Sequence, residues 1–316
     1  MNYTQAKEKL AKYGQLHVLR FWDELSEEAR AQLLEQIDQT DFSILKYAGE
    51  SSEGIKHGEI SPLGAMEIPE IEAKREHFTT IGLEAIRSRK VGAVLLAGGM
   101  GTRLGSDHPK CMYDIGITKP VYIMQRLIEN LMDVVRQAGT MVPLFIMTSD
   151  KNHEDTVGFM EEMHYFGYDP EMVTFFKQDM APAVDYNDKV FMESRSKIAT
   201  SPNGNGGWFR SMMNTGALDR AREMGVEWLN IFAVDNVLQR ICDPVFIGAT
   251  IEAGVEAGEK VVKKNAPDER VGVVCLEDGR PSIVEYYELS DEMAQAKDEN
   301  GNPAYNFGVI LNYLIA

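Results

Sequence analysis

Residues 95–110 read LLAGGMGTRLGSDHPK and gather four glycines, an arginine and a lysine into one short stretch. Gly98, Gly99, Gly101 and Gly105 allow a tight turn whose backbone N–H groups are free to meet phosphate oxygens, while Arg103 and Lys110 add positive charge. The chemistry such a set could do is the holding of a polyphosphate. It is not a Walker loop, because no Gly-Lys-Ser/Thr closes it, and it is not G-x-G-x-x-G, because Gly105 falls one residue late. Asp235 follows the apolar run IFAV and therefore stands at a strand's carboxyl end. A carboxylate there can hold Mg²⁺ against phosphates, or simply cap the next turn. The six histidines form neither an H-E-x-x-H pair nor a nucleophilic triad pattern, and Cys111, Cys242 and Cys275 contain no C-x-x-C pair.

The elements that must position these residues show in the apolar rhythm. From Val91 onward, VGAVLLAGG (91–99), PLFIMTS (143–149), MVTFF (172–176), NIFAVD (230–235) and VGVVCL (271–276) read as strands; 119–138, 153–166, 211–225 and 245–258 read as helices. That is the rhythm of a parallel α/β sheet, which takes ligands at the carboxyl ends of its strands, so chemistry is expected in the loops after Gly99 and Val234. Residues 1–88 read as a polar helical region and 89–316 as the domain that carries the site. Within the first, Leu25, Ala29, Leu33, Leu34 and Ile37 recur at helical spacing behind the capping residue Ser26, with Glu27 and Glu28 at the positive helix start. The Gly- and Ser-rich stretch from Gly49 to Gly64 reads as a loop. No repeat or low-complexity tract interrupts the pattern.

Composition narrows the partners. The chain has 316 residues, with Lys+Arg 32 against Asp+Glu 49 for a net charge of −17. Such a balance excludes general affinity for nucleic acid or anionic lipid, so a phosphate site has to be built locally. No apolar run approaches the ~20 residues of a membrane span, the first residues lack a signal-peptide core, and the scattered cysteines suit a reducing cytoplasm.

With its flanking Pro109-Lys110, the glycine loop resembles that of the sugar nucleotidyltransferases. Further segments carry the resemblance to the eukaryotic-type UDP-sugar pyrophosphorylases, and within them to the UDP-N-acetylglucosamine branch. They are PKCMYDIG (109–116), FFKQDMAPA (175–183), SPNGNGGWF (201–209), FAVDNVLQRICDPVFIG (232–248), VGVVCLEDG (271–279) and IVEYYEL (283–289), in one consistent order. The resemblance implies a Rossmann-like, GT-A-like fold with a mixed, mostly parallel sheet flanked by helices. It also implies transfer of uridylyl from UTP to a hexose 1-phosphate, with Mg²⁺ as cofactor. N-acetylglucosamine 1-phosphate is the nearest motif match; glucose 1-phosphate, or UDP-sugar binding without catalysis, are the alternatives.

Residue by residue, the resemblance implies that the backbone of Leu96, Ala97, Gly98 and Gly99 contacts UTP and that Lys110, with Arg103, neutralises its phosphates. Gln178 would read uracil, a role its donor-and-acceptor amide suits. Gly204 would contact the uridine, Asn205, Gly272 and Glu285 the sugar, and Asp235 the metal. Three departures stand out. Val309 occupies the position of a family asparagine that contacts the sugar, so Asn306 or Asn312 would have to compensate. Cys111 replaces a glycine and is either a reactive thiol beside Arg103 and Lys110 or a buried inert one, the second being favoured. The chain stops at Ala316 inside the apolar run VILNYLIA, which reads as truncation.

Overall fold

The computed structural model describes residues 1–47, 57–266, 268–299 and 301–316. Two compact units result, Met1–Lys56 with Asp179–Gly206, and His57–Gln178 with Gly207–Ala316. Residues 48–56 of the expected loop lie outside the described residues.

In the first unit, helix α1 (Tyr3–Lys12) starts at a reciprocal cap: Asn2 Oδ1 accepts from Gln5 N–H at 3.0 Å and Gln5 Oε1 from Asn2 N–H at 2.8 Å. Helix α2 (Glu27–Gln39) begins at Ser26, whose hydroxyl accepts from Ala29 N–H, as its sequence predicts. Leu10, Leu33, Ile37 and Phe42 pack with Val190 and Ile198 from the second segment. That segment folds as two small antiparallel pairs, β5 (Met180–Pro182) with β8 (Thr200–Pro202) and β6 (Met192–Ser194) with β7 (Lys197–Ile198).

The second unit is built on a nine-stranded mixed sheet. Its parallel part runs β9 (Trp228–Ala233), β2 (Val91–Leu96), β3 (Leu144–Thr148), β4 (Val173–Lys177). Every residue of β2 and β3 is buried, which is why both read as continuous apolar runs rather than alternating ones. Ala93 and Leu95 face helix α5 (Ile123–Ala138) through Leu127, Ile128 and Leu131. Val94 and Leu96 face the other way, toward Trp208 and Met212 of α7 (Trp208–Asn214) and Ala217 and Ala221 of α8 (Ala217–Glu223). Helices therefore cover both faces. Gly216, at φ +78°, divides α7 from α8, where the sequence suggests one continuous helix. Helix α6 (His153–Glu162) is likewise shorter than its pattern, giving way to a turn with positive φ at His164, Tyr165 and Phe166.

Five further strands extend the sheet with antiparallel pairings. They are β1 (Ile60–Pro62), β10 (Ala257–Lys263), β11 (Val273–Glu277), β12 (Arg280–Val284) and β13 (Phe307–Ile315). VGVVCL thus belongs to this antiparallel part: Asp278 and Gly279, at φ +49° and +76°, close β11 onto β12 in a two-residue hairpin. Residues 60–62, expected as loop, pair with β11; three residues are too few to show a period in sequence. Strand β13 pairs with β10 along one edge and shares its other edge between two neighbours, β9 over 312–315 and β11 at Gly308. Leu311, at φ +54°, is the kink between them, a conformation that costs a non-glycine residue roughly 1–2 kcal/mol.

Helix α3 (Ile68–Ala73) leads into α4 (Arg75–Arg87), which packs on α9 (Pro244–Glu252) with backbones nearly touching. A Cβ on Gly82 would lie 1.9 Å from the Pro244 carbonyl oxygen, and one on Gly248 1.9 Å from that of Phe78. Among the described residues, no helix is long and apolar enough to cross a membrane.

Candidate functional site

Strand register builds the site. Leu96 lies beside Met147 and Ala233, and Met147 beside Phe176, so the four parallel strands end level and their following loops leave from one edge. Residues 97–99, 149–152, 178 and 234–235 all emerge there. Continuing the antiparallel register of β13 on β9, in which Asn312 meets Phe232, carries residues 307–310 past the end of β9 on that same side.

The glycine loop is folded on itself. Gly101 N–H donates to His108 O at 2.8 Å, Lys110 N–H to Gly99 O at 3.1 Å, and Gly105 turns at φ +74°. Among the described residues, no acceptor meets the N–H groups of Gly98, Gly99 or Met100. Consecutive unmet amides at a strand's carboxyl end form a concavity for an anion. The loop's shape is enforced from behind by Asn152, which is fully buried: its Nδ2 donates to Ala97 O (2.9 Å) and Gly99 O (3.3 Å), while its Oδ1 accepts from the N–H and hydroxyl of Ser149. Asn152 escaped the sequence reading, because its partners are brought to it by packing rather than by a turn motif.

Gln178 is buried against Gly98. Its N–H donates to Thr148 O at 2.7 Å, and a Cβ on Gly98 would lie 2.4 Å from Nε2. The glycine is needed for that close approach. Lys110 forms an ion pair with Asp235, so the lysine after the loop and the carboxylate after β9 meet. The lysine is mostly buried and the carboxylate 63% exposed, leaving Asp235 oxygen accessible to a further cation. Arg103 is exposed, with no carboxylate against it among the described residues. A buried chain of amides fixes the loop that bears Asp235. Gln239 donates to Ala233 O at 2.8 Å, Asn312 donates to Gln239 Oε1 at 3.1 Å, Asn230 donates to Asn312 Oδ1 at 2.9 Å, and Cys242 N–H donates to Asn230 Oδ1 at 2.7 Å.

A second group lies where β11, β12 and β13 meet. Glu285 Oε2 would be 3.2 Å from a Cβ on Gly272, and Gly272 O accepts from Val309 N–H at 2.9 Å. Gly272, Glu285 and Val309 are therefore neighbours. Asn312 is wholly consumed by the amide chain, and Asn306 lines a separate cavity of about 340 Å³ with Pro62, Lys263 and Lys297. Neither stands in for an amide at Val309. Gly204 and Asn205 belong to the first unit, where Gly204 has φ +73° and Asn203 N–H donates to Asp179 O. Cys111 is buried beside the Thr156 hydroxyl, and burial pushes its thiol up to about 11, which makes it inert. The same holds for Cys242, pushed up to about 12.

In fold, this is a mixed α/β unit with its polar residues collected at the carboxyl edge of the parallel strands, where such sheets receive ligands. The chain belongs to the UTP--glucose-1-phosphate uridylyltransferase family, whose profile matches residues 42–314. It is 37% identical over 325 residues to the human UDP-N-acetylhexosamine pyrophosphorylase-like protein 1, covering 96% of this chain and 64% of that one. Against UDP-N-acetylglucosamine pyrophosphorylase of Saccharomyces cerevisiae it is 33% identical, covering 98% and 69%. The solved structure of the uridine diphosphate N-acetylglucosamine pyrophosphorylase from Trypanosoma brucei, in complex with inhibitor, superposes with a TM-score of 0.84 at 29% identity, covering 98% of this chain and 65% of that one. The chain thus spans about two thirds of the length of these relatives.

Proposed function

We propose that this chain carries a uridylyltransferase activity, joining UTP and a hexose 1-phosphate into UDP-sugar and pyrophosphate. N-acetylglucosamine 1-phosphate is the first choice of acceptor, after the relatives' names. The observation that carries the proposal is the set of unmet N–H groups on Gly98, Gly99 and Met100, with Gln178 buried beside them and the Lys110–Asp235 pair at the same sheet edge.

An oxygen of the sugar 1-phosphate attacks the α-phosphorus of UTP in line, forming a P–O bond as the bond to the pyrophosphate oxygen breaks. Little acid–base work is needed, so the chain's task is positioning and charge neutralisation. The backbone of Leu96, Ala97, Gly98 and Gly99 contacts UTP, with the unmet amides of Gly98 and Gly99 turned to the triphosphate, and Lys110 and Arg103 balance its charge. Gln178 reads the base and Gly204 contacts the uridine; Asn205, Gly272 and Glu285 receive the sugar. A single exposed carboxylate suits Mg²⁺, which binds through one or two carboxylates together with phosphate oxygens and keeps several waters. Asp235 would hold it, and when bound it supplies further neutralisation of phosphate charge. The three buried, free cysteines accord with a reducing cytoplasm.

Val309 beside Gly272, with Asn312 committed elsewhere, favours glucose 1-phosphate as the second choice, because an acetamido group would lose an amide partner worth about 1–3 kcal/mol. Pyrophosphate release from UTP and Mg²⁺ with N-acetylglucosamine, glucose and galactose 1-phosphates in parallel tests both. Turnover with one sugar names the substrate. Folded protein that binds UTP and is silent with all three would replace the enzyme by a binding protein.

A further inference from the structure

His57 stands between two carboxylates. Its Nδ1 is 3.2 Å from Glu277 Oε1 and its Nε2 3.6 Å from Glu288 Oε2; Nε2 is buried and has no hydrogen-bond partner among the described residues. Both glutamates are tied to backbone. Glu277 Oε1 accepts from Gly58 N–H at 2.9 Å and its Oε2 from the Ser282 hydroxyl, while Glu288 Oε2 accepts from Glu285 N–H at 2.9 Å and Glu288 N–H donates to Glu285 O. The Glu285–Glu288 turn thus closes on itself, and its one bridge to the β11–β12 hairpin through these side chains is the imidazole.

A neutral imidazole carries one N–H and one lone pair, so one of its nitrogens would face a carboxylate lone pair to lone pair. Only the imidazolium turns an N–H toward each carboxylate, within hydrogen-bond distance of Glu277 and at ion-pair distance from Glu288. We propose that His57, set between Glu277 and Glu288, is a positioning residue that clamps the Glu285 turn onto β11 and so tunes the affinity for the sugar 1-phosphate. This rests on the sugar role of Glu285 in the function proposed above. Glu277 and Glu288 are the charged groups that face the ring; Glu59, Asp278, Arg280 and Glu285 are the others on the elements around it.

Two variants and two readouts test the inference. Without any substrate, amide exchange of the 283–289 segment should quicken several-fold in His57→Gln, and in Glu288→Gln to a lesser degree, because the Glu285 N–H loses its anchored acceptor. With substrates, the KM for the sugar 1-phosphate should rise about tenfold in His57→Gln while the KM for UTP and kcat stay within about twofold. Unchanged exchange in His57→Gln overturns the clamp, and a variant that exchanges faster but keeps the wild-type KM for the sugar 1-phosphate overturns its bearing on the sugar. Faster exchange in a protein that turns over no sugar 1-phosphate would leave the clamp standing and remove the uridylyltransferase function instead.

Discussion

At the residue scale, the site is held together by two contacts that each join distant parts of the chain, Lys110 with Asp235 and Gly98 with Gln178. In the first, each group is the other's counterion, and removing the lysine leaves no buried charge behind, since Asp235 is largely exposed. Lys110→Ala should therefore lower kcat by about 10²–10³-fold, the size expected for losing one charge-stabilising donor, with circular dichroism and melting temperature nearly unchanged. Full turnover in that variant would remove Lys110 from the reaction. The second contact predicts a different signature. In Gly98→Ala the new Cβ has to displace the Gln178 amide, the end of a side chain that can shift, so the loss falls on base recognition. The KM for UTP should rise by about tenfold or more while the fold persists, and discrimination between UTP and CTP should weaken with it. A loss confined to kcat, with UTP affinity kept, would separate Gln178 from the base.

Elements show why some substitutions far from the site matter as much. Helices α4 and α9 approach so closely at Gly82 and Gly248 that a methyl group on either overlaps the other helix's carbonyl, and neither backbone can yield without moving a whole helix. Gly82→Ala or Gly248→Ala should cost about 3 kcal/mol, read as a drop of several degrees in melting temperature, whereas Gly158→Ala on α6, where nothing lies within 4 Å, should be neutral or mildly stabilising. Equal effects at the three positions would contradict the close packing. The parallel strands and α5 were legible because buried strands and amphipathic helices write their periods into the sequence. The antiparallel part was less so: the Asp278–Gly279 hairpin signal was present but unused, and β1 is too short to carry a period. For the site, the glycine loop, Lys110, Gln178 and Asp235 could be picked out from motif and strand-end position. Asn152 could not, nor could the chain from Gln239 through Asn312 to Asn230, because a buried amide's partners are set by tertiary packing and leave no local pattern.

For the molecule as a whole, net charge and a few displaced carboxyls set the dependence of stability on pH. The charge of −17 makes the folded state self-repelling at neutral pH, and protonating carboxylates relieves it. Glu259 of the β10 strand, opposite Tyr313, acts in the same direction: burial pushes its carboxyl up to about 7, above the ~4.3 of an unfolded chain. A carboxyl with a raised folded value contributes its stability in full below the unfolded value and loses it as pH rises through the folded one. In the opposite sense, backbone hydrogen bonds from Val121 and Gly116 hold Asp114 below the ordinary range. The Gly58 N–H, the Ser282 hydroxyl and the His57 ring do the same for Glu277. Their contribution is present above the unfolded values and lost as pH falls through the lowered ones. Stability should therefore peak on the mildly acid side of neutrality and fall away both toward pH 8 and below about pH 4. The Glu259 part can be isolated, because glutamine mimics the protonated acid at every pH. In urea unfolding, Glu259→Gln should gain about 1–2 kcal/mol over wild type at pH 8 and almost nothing near pH 4, the larger value that the shift alone implies being reduced by the solvent that still reaches this strand. An advantage of equal size at both pH values would mean that the substitution acts through packing, and that Glu259 is ionised in the folded chain at no cost.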